Sequence, residues 1–166
     1  MIILLSSFIL LGVLELKPSW AQSVIKTIDV GNGPLDIEYN PFNKYIYVAN
    51  GLSDDVSVIN SATNTVIKTI PVGNGPWDLT FNPGNSKIYV ANFFGDDVSV
   101  ISSSTNKVTK PINVGDFPRN FAYNPNNKYI YVANFNSDDV SVISSSTIII
   151  GPAPSSPPHL KPIVVR

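Results

Sequence analysis

The stretch KIYVANFFGDDVSVI, from Lys87 to Ile101, stands between two near copies of itself: KYIYVANGLSDDVSVI from Lys44 and KYIYVANFNSDDVSVI from Lys128. Tyr47, Tyr89 and Tyr131 each open the word Tyr-Val-Ala-Asn, and they lie 42 residues apart. A fixed period without slippage marks one supersecondary unit repeated in tandem. The flanks repeat as well. VIKTIDVGNGP (Val24 to Pro34) returns as VIKTIPVGNGP from Val66 and as VTKPINVGDFP from Val108. LDIEYNP (Leu35 to Pro41) returns as WDLTFNP from Trp77 and RNFAYNP from Arg119.

Each word has a local reading. The β-branched run before Gly-Asn-Gly-Pro predicts a strand ending in a tight turn. In LDIEYNP the alternation places Leu35, Ile37 and Tyr39 on one face, with Asp36 and Glu38 on the other. Asn-Pro at 40–41, 82–83 and 124–125 marks the next turn, because proline fixes φ and asparagine caps locally. The Tyr-Ile-Tyr-Val-Ala strand is apolar on both sides, so it is sandwiched between neighbouring layers. Within the first unit, strands are predicted at 34–39, 44–50, 55–60 and 65–72. The third unit carries 118–123, 128–134 and 139–144, its fourth strand missing or replaced by Thr147 to Ile150. Residues 24–30 read as an outer strand that precedes any unit of its own.

Four short strands in about 42 residues, repeated and without helical periodicity, give an all-β fold of propeller blades. Three blades make an incomplete ring, since closed propellers hold about four to eight. A fragment of a longer product, a ring completed by a second chain, and an open arc are the competing explanations. Tyr-Val-Ala-Asn, Asp-Asp-Val-Ser-Val-Ile and Val-Gly-Asn-Gly-Pro together resemble the YVTN family of β-propeller repeats, over about residues 24–147. Alanine replaces that family's threonine at 49, 91 and 133. The resemblance implies an exported, surface-layer-like protein.

Composition narrows the class. A net charge of −1 gives no reason to expect nucleic acid or an anionic membrane as partner. The chain has no cysteine, which excludes disulfides and thiolate metal sites. Residues 1–21 begin with the apolar run MIILLSSFILLGVL and end in Ser19-Trp20-Ala21, a pattern read as a secretory signal or an uncleaved anchor. The expected location is therefore secreted or at the cell surface, with no membrane span after cleavage. Residues 148–166 are proline-rich and outside the repeat, hence an expected disordered tail.

Function is expected where the copies differ, on loops carried by a rigid scaffold. The variable positions are Leu35, Trp77 and Arg119 at the start of the innermost strand, then Gly51-Leu52, Phe93-Phe94 and Phe135-Asn136 in the loop after Tyr-Val-Ala-Asn. Asp36, Asp78 and Asn120 sit beside the expected channel mouth. The candidate binding face is thus Asp36, Trp77, Asp78, Phe93, Phe94, Arg119, Asn120 and Phe135. The aromatic residues also read as inter-blade packing, and the two aspartates as turn caps. Arg119, the only arginine before the terminal one, suits an anion. The paired aspartates at 54–55, 96–97 and 138–139 invite calcium, but their spacing is wrong for an EF-hand loop, and turn formation is the simpler reading.

The only histidine, His159, lies in the tail, which removes a histidine-based triad or histidine-ligated metal from the blades. No catalytic residue, metal or cofactor is therefore expected. The resulting expectation is a non-catalytic exported scaffold binding protein or an envelope glycan, with a homo-oligomer completing the ring. The alternative is part of a lactonase- or lyase-type propeller enzyme acting at the channel mouth through Asp36, Asp78, Glu38 and Asn120.

Overall fold

The computed structural model describes residues 22–144, so the signal at 1–21 and the tail at 148–166 lie outside the described residues. Twelve strands form three antiparallel sheets. Blade 1 is β1 (Pro34–Asn40), β2 (Tyr45–Asn50), β3 (Asp55–Asn60) and β4 (Thr65–Pro71), in that spatial order. Blade 2 is β5 (Pro76–Asn82), β6 (Lys87–Asn92) and β7 (Asp97–Ser102), with an outer edge divided into β8 (Lys107–Val108) and β9 (Ile112–Asn113). Blade 3 is β10 (Pro118–Asn124), β11 (Tyr129–Asn134) and β12 (Asp139–Ile143). These are consecutive propeller blades, and β1, β5 and β10 lie side by side along the inner edge.

The outer edge of blade 2 breaks at Pro111, where blade 1 has Thr69 paired to Ser57. Proline has no N–H to give the ladder, so the strand splits around it. Residues 24–30, expected as an outer strand, form no strand in the structure. The reason is topological: an outer strand that precedes the first blade has no neighbour in its own sheet to pair with.

Turn chemistry explains the remaining punctuation. Asn40, Asn82 and Asn124 each accept the N–H two residues on, from Phe42, Gly84 and Asn126. Lys44, Ser86 and Lys128 then take positive φ to start the next strand. Asp54, Asp96 and Asp138, the first of each aspartate pair, do so before the third strand. Aspartate and asparagine tolerate the left-handed region better than most side chains.

The repeated words prove to be parts of one network. The Asn50 amide donates to Asp55 Oδ1 at 2.7 Å and to Ser57 Oγ at 2.9 Å, and the Gly31 N–H reaches the same Ser57 Oγ at 3.3 Å. Blades 2 and 3 repeat it with Asn92, Asp97, Ser99 and Gly73, and with Asn134, Asp139, Ser141 and Gly115. A side chain on Gly73 would collide with the Asn92 amide, which is why glycine opens this turn.

The core lies between the blades. Tyr47, Ala49, Val56, Val58 and Ile70 of blade 1 pack against Leu79, Phe81, Ile88, Val90 and Ile101 of blade 2. Tyr89, Val98 and Val100 meet Ile130 and Val132 of blade 3 in the same manner. Full burial of each such aliphatic side chain contributes roughly 1.5–3 kcal/mol.

Candidate functional site

Two loops of each blade share one face. The N–H groups of Gly51 and Leu52 bond to the carbonyls of Gly33 and Asn32, and the pattern recurs at Phe93–Gly75, Phe94–Asn74, Phe135–Phe117 and Asn136–Asp116. The variable residues Leu35, Trp77 and Arg119 occupy the point where the inner strand slips register between Pro34 and Asp36, Pro76 and Asp78, and Pro118 and Asn120. A β-bulge re-aims a side chain without ending the strand. The scaffold thus offers one redirected position per blade beside the loop face.

Trp77, Phe93, Phe94, Arg119 and Phe135 come together in one cluster. Phe93 lies 5.0 Å from Trp77 and stacks on Phe117 at 4.8 Å. Phe94 meets Phe93 edge-on at 5.0 Å. The Arg119 guanidinium sits 5.3 Å over Trp77 and 5.6 Å over Phe135, in the range of a cation–π contact. Trp77, Phe93 and Phe117 are half-buried and stitch blade 2 to blade 3, whereas Phe94 and Phe135 stay exposed. Beside this cluster, a cleft of about 300 Å³ is lined by Leu35, Leu52, Trp77 and Phe94 with glycines 33, 51 and 75.

Phe117 is the member that sequence reasoning passed over. It holds φ 54° where the equivalent Gly33 and Gly75 hold 63° and 64°. A bulky residue in the left-handed region costs roughly 1–3 kcal/mol. The signal was present in the sequence, since VGDFP breaks the VGNGP pattern at that position.

The aspartates of the inner strand form a pair. Asp36 Oδ2 accepts the Leu79 N–H at 2.7 Å, and Asp78 Oδ2 accepts the Phe121 N–H at 2.7 Å, so each carboxylate staples its blade to the next. Asp78 is pushed from the ordinary 3.8 up to about 7, first by burial, then by its hydrogen bond to the Asp36 carboxyl and by the negative charge of Asp36. The Phe121 and Leu79 N–H groups oppose that rise. Glu38 is also pushed up, by burial and then by Asp36. Two carboxyls in contact cannot both ionise cheaply, so Asp78 is held protonated toward neutral pH. Asn120, the equivalent residue of blade 3, lines the shallow depression formed with Phe121, Tyr131, Ala133 and Val140.

The other aspartates do structural work. Asp54 Oδ1 accepts from Gly75 N–H at 2.8 Å and Asp96 Oδ1 from Phe117 N–H at 2.9 Å, across the blade boundary. Asp55, Asp97 and Asp139 hold the asparagine amides. Among the described residues no three of histidine, cysteine, aspartate and glutamate converge as metal ligands. Asp36 and Asp78 each have one oxygen engaged by a backbone N–H of the next blade.

The sequence profile of the family described as "Lactonase, 7-bladed beta-propeller" matches residues 14–148. The chain belongs to that lactonase family. The expectation of a non-enzyme is corrected by this finding: the repeat that read as a binding scaffold is the repeat of an enzyme family. No curated protein sequence matches the chain. Among solved structures it is similar to hydrazine synthase of Kuenenia stuttgartiensis, with a TM-score of 0.64 and 24% identity over 75% of this chain and 36% of that one. It is similar to virginiamycin B lyase of Staphylococcus aureus, with a TM-score of 0.60 and 14% identity over 69% of this chain and 39% of that one. A protein named only provisionally as a 6-phosphogluconolactonase, from Bacteroides uniformis, gives 0.59 and 22% over 69% and 36%. At such identities these likenesses speak to the propeller fold alone. The lactonase-family chain spans little more than a third of each of these structures.

Proposed function

We propose that this chain carries part of the catalytic mouth of a lactone-hydrolysing propeller, with Asp36 and Asp78 as its general acid–base pair. The observation that carries the reading is the contact between two inner-strand carboxyls that holds a proton on Asp78 up to about pH 7. Family membership supplies the reaction class. A carboxylate beside a carboxylic acid is what hydrolysis of a cyclic ester needs. The Asp36 carboxylate takes a proton from water as the oxygen attacks the lactone carbonyl. When the tetrahedral intermediate collapses, the ring C–O bond breaks, and Asp78 gives its proton to the departing alkoxide. The proton on Asp36 then passes to Asp78 within the pair, restoring the starting state. The cleft of Leu35, Leu52, Trp77 and Phe94 opens one residue along each strand from the two acids and suits the apolar part of a small cyclic ester. Export to the cell surface, which residues 1–21 and the YVTN resemblance imply, is compatible with such an activity and forms part of the proposal.

The test is acid release from a simple five- or six-membered lactone by the full chain, followed by pH-stat. Hydrolysis above the uncatalysed rate is expected, with activity falling above about pH 7 as Asp78 loses its proton. Asp78→Asn should lower the rate by roughly 10²–10⁴-fold. Asp54→Asn, which touches only a loop N–H, should leave it intact. A full chain with no rate above background, or an Asp78→Asn variant as fast as the parent, overturns the proposal.

A further inference from the structure

The loop-face cleft lies between blades 1 and 2, and the boundary between blades 2 and 3 repeats it one period on. Gly33, Leu35, Gly51 and Leu52 on the blade 1 side correspond to Gly75, Trp77, Phe93 and Phe94 of blade 2. Gly75, Trp77 and Phe94 on the blade 2 side correspond to Phe117, Arg119 and Asn136 of blade 3. Phe93 thus stands where the cleft has Gly51, and Phe117 where it has Gly75. Those two rings, one from each blade, stack at 4.8 Å with their planes 19° apart. Phe93 also lies 5.0 Å from Trp77, and Phe94 meets Phe117 edge-on at 6.3 Å. At one boundary the protein fills this place with aromatic rings of its own. At the other, two glycines leave it open.

The difference is one of side chains, not of backbone. The Gly51 N–H bonds to the Gly33 carbonyl as the Phe93 N–H bonds to the Gly75 carbonyl. Gly75 holds φ 64° and Phe117 holds φ 54°. A Cβ on Gly75 would run into the Phe94 ring, and one on Gly51 into the Leu35 side chain, so both glycines face the cleft wall. The opening measures about 300 Å³, and an apolar cavity of about 150 Å³ already admits benzene. The only polar side-chain atom in its lining is the indole nitrogen of Trp77. Hydroxyl groups placed there would lose water without gaining partners. Leu35 and Trp77 are each followed by an acid of the pair, Asp36 and Asp78, so the cleft opens next to the acids along both inner strands.

We propose that this cleft is a subsite for an aryl ring, and that the substrates are lactones carrying such a ring rather than polyhydroxylated sugar lactones. The occupant is read from the next boundary, where phenyl rings of the chain itself fill the equivalent place. Gly51 and Gly75 set the specificity, by leaving a ring-sized gap among Leu35, Leu52, Trp77 and Phe94. Both walls of the gap belong to this chain and meet at an internal blade boundary. The assignment of the substrate rests on the lactone-hydrolysing reading above. The subsite itself does not, and the two are read out separately.

The test is calorimetric titration of the full chain with lactams, whose amide the acids do not hydrolyse: δ-valerolactam, its δ-phenyl derivative and gluconolactam. The phenyl lactam should bind about tenfold tighter than δ-valerolactam, and gluconolactam no tighter than δ-valerolactam. Gly51→Phe plugs the cleft with the ring that blade 2 carries at Phe93, in a backbone without positive φ, and should bring the phenyl preference down to about onefold. A phenyl lactam that binds no tighter, or a preference that survives Gly51→Phe, overturns the subsite. A methyl spectrum of leucine-labelled wild type needs no substitution: the phenyl lactam should shift Leu35 and Leu52 and leave the buried Leu79 in place, and the reverse pattern refutes the assignment. A cleft made for an apolar side chain of a protein partner would take the ring without the lactam, so benzyl alcohol binding as tightly as the phenyl lactam overturns the substrate class. Turnover of the matching lactones separates the two readings. Phenyl preference in the lactams without lactone hydrolysis keeps the subsite and removes the acid–base pair. Hydrolysis without phenyl preference does the opposite.

Discussion

Replacing Asp78 by asparagine tests the carboxylate pair through stability alone. Asp78 has a folded pKa of about 7 against 3.8 for an ordinary aspartate. Between those values the folded chain binds more protons than the unfolded chain, so stability falls as pH rises. The contribution is fully present below 3.8 and is lost as pH climbs through about 7. A tenfold change in proton affinity is worth about 1.4 kcal/mol. Because the site is only half-buried, solvent screening reduces the full linkage to about 1–2 kcal/mol. Asparagine keeps an oxygen for the Phe121 N–H and offers its amide to Asp36, without the charge. Asp78→Asn should therefore match the parent at about pH 4 and exceed it by about 1–2 kcal/mol at about pH 8. In a domain of this size that is a Tm increase of very roughly 3–10 °C at the higher pH. Circular dichroism melts across that range measure it. Parallel pH profiles for parent and variant would refute the proton held on Asp78, and with it the acid–base assignment.

Three further outcomes follow from particular contacts. Val58→Ala and Val100→Ala, both in the blade interior, should each cost about 2–3 kcal/mol, whereas Val142→Ala should cost under about 0.5 kcal/mol; equal urea-midpoint shifts at all three would contradict an open blade 3 face. Phe117→Gly should be more stable than Phe117→Ala by about 1 kcal/mol, because both lose the ring but only glycine escapes the left-handed penalty; alanine proving the better residue would rule out strain at φ 54°. Added EDTA or calcium should leave the melting temperature unchanged, since Asp54 and Asp96 are engaged by N–H groups; a large shift with either would reveal a metal site.

Much of the fold was readable because the same words recur in fixed order. Strand limits expected at 34–39, 44–50, 55–60 and 65–72 are met by β1 to β4 within one or two residues. Periodicity, Asn-Pro turns and glycine positions are local signals, and local signals set the strands. Residues 24–30 failed for the opposite reason: they carry the outer-strand word, but a strand exists only where a neighbouring edge lies alongside. The site was legible in part. The sequence picked out Trp77, Phe93, Phe94, Arg119 and Phe135 because they differ between copies, and they meet in one cluster. It placed Asp36 and Asp78 beside the channel mouth, as turn caps or as part of an enzyme site, but not in contact, since residues one full repeat apart meet only when consecutive blades stack. The paired aspartates were rightly read as turn residues, yet the bond from Asp54 to Gly75 across the boundary follows from the same stacking and was out of reach.

The pair also bears on why these residues are acids. Stapling one blade to the next at this position requires only an oxygen that accepts an N–H. Asparagine has one and carries no charge, as Asn120 does at the equivalent place in blade 3. Aspartate at both 36 and 78 brings two carboxyls into contact and raises one of them to about 7, a cost in stability that an Asp–Asn or Asn–Asn pair would avoid. Apart from the break at Pro111, the repeat is elsewhere self-consistent: turn residues, apolar faces and the Asn–Asp–Ser networks agree from blade to blade. Local departures from such consistency tend to mark function. Two departures occur within the described loop face: the acid pair, one residue along from Leu35 and Trp77 of the cleft, and the strained Phe117 inside the aromatic cluster. Under the proposed function, the acids are where chemistry is to be sought and the aromatic cluster is where recognition is to be tested.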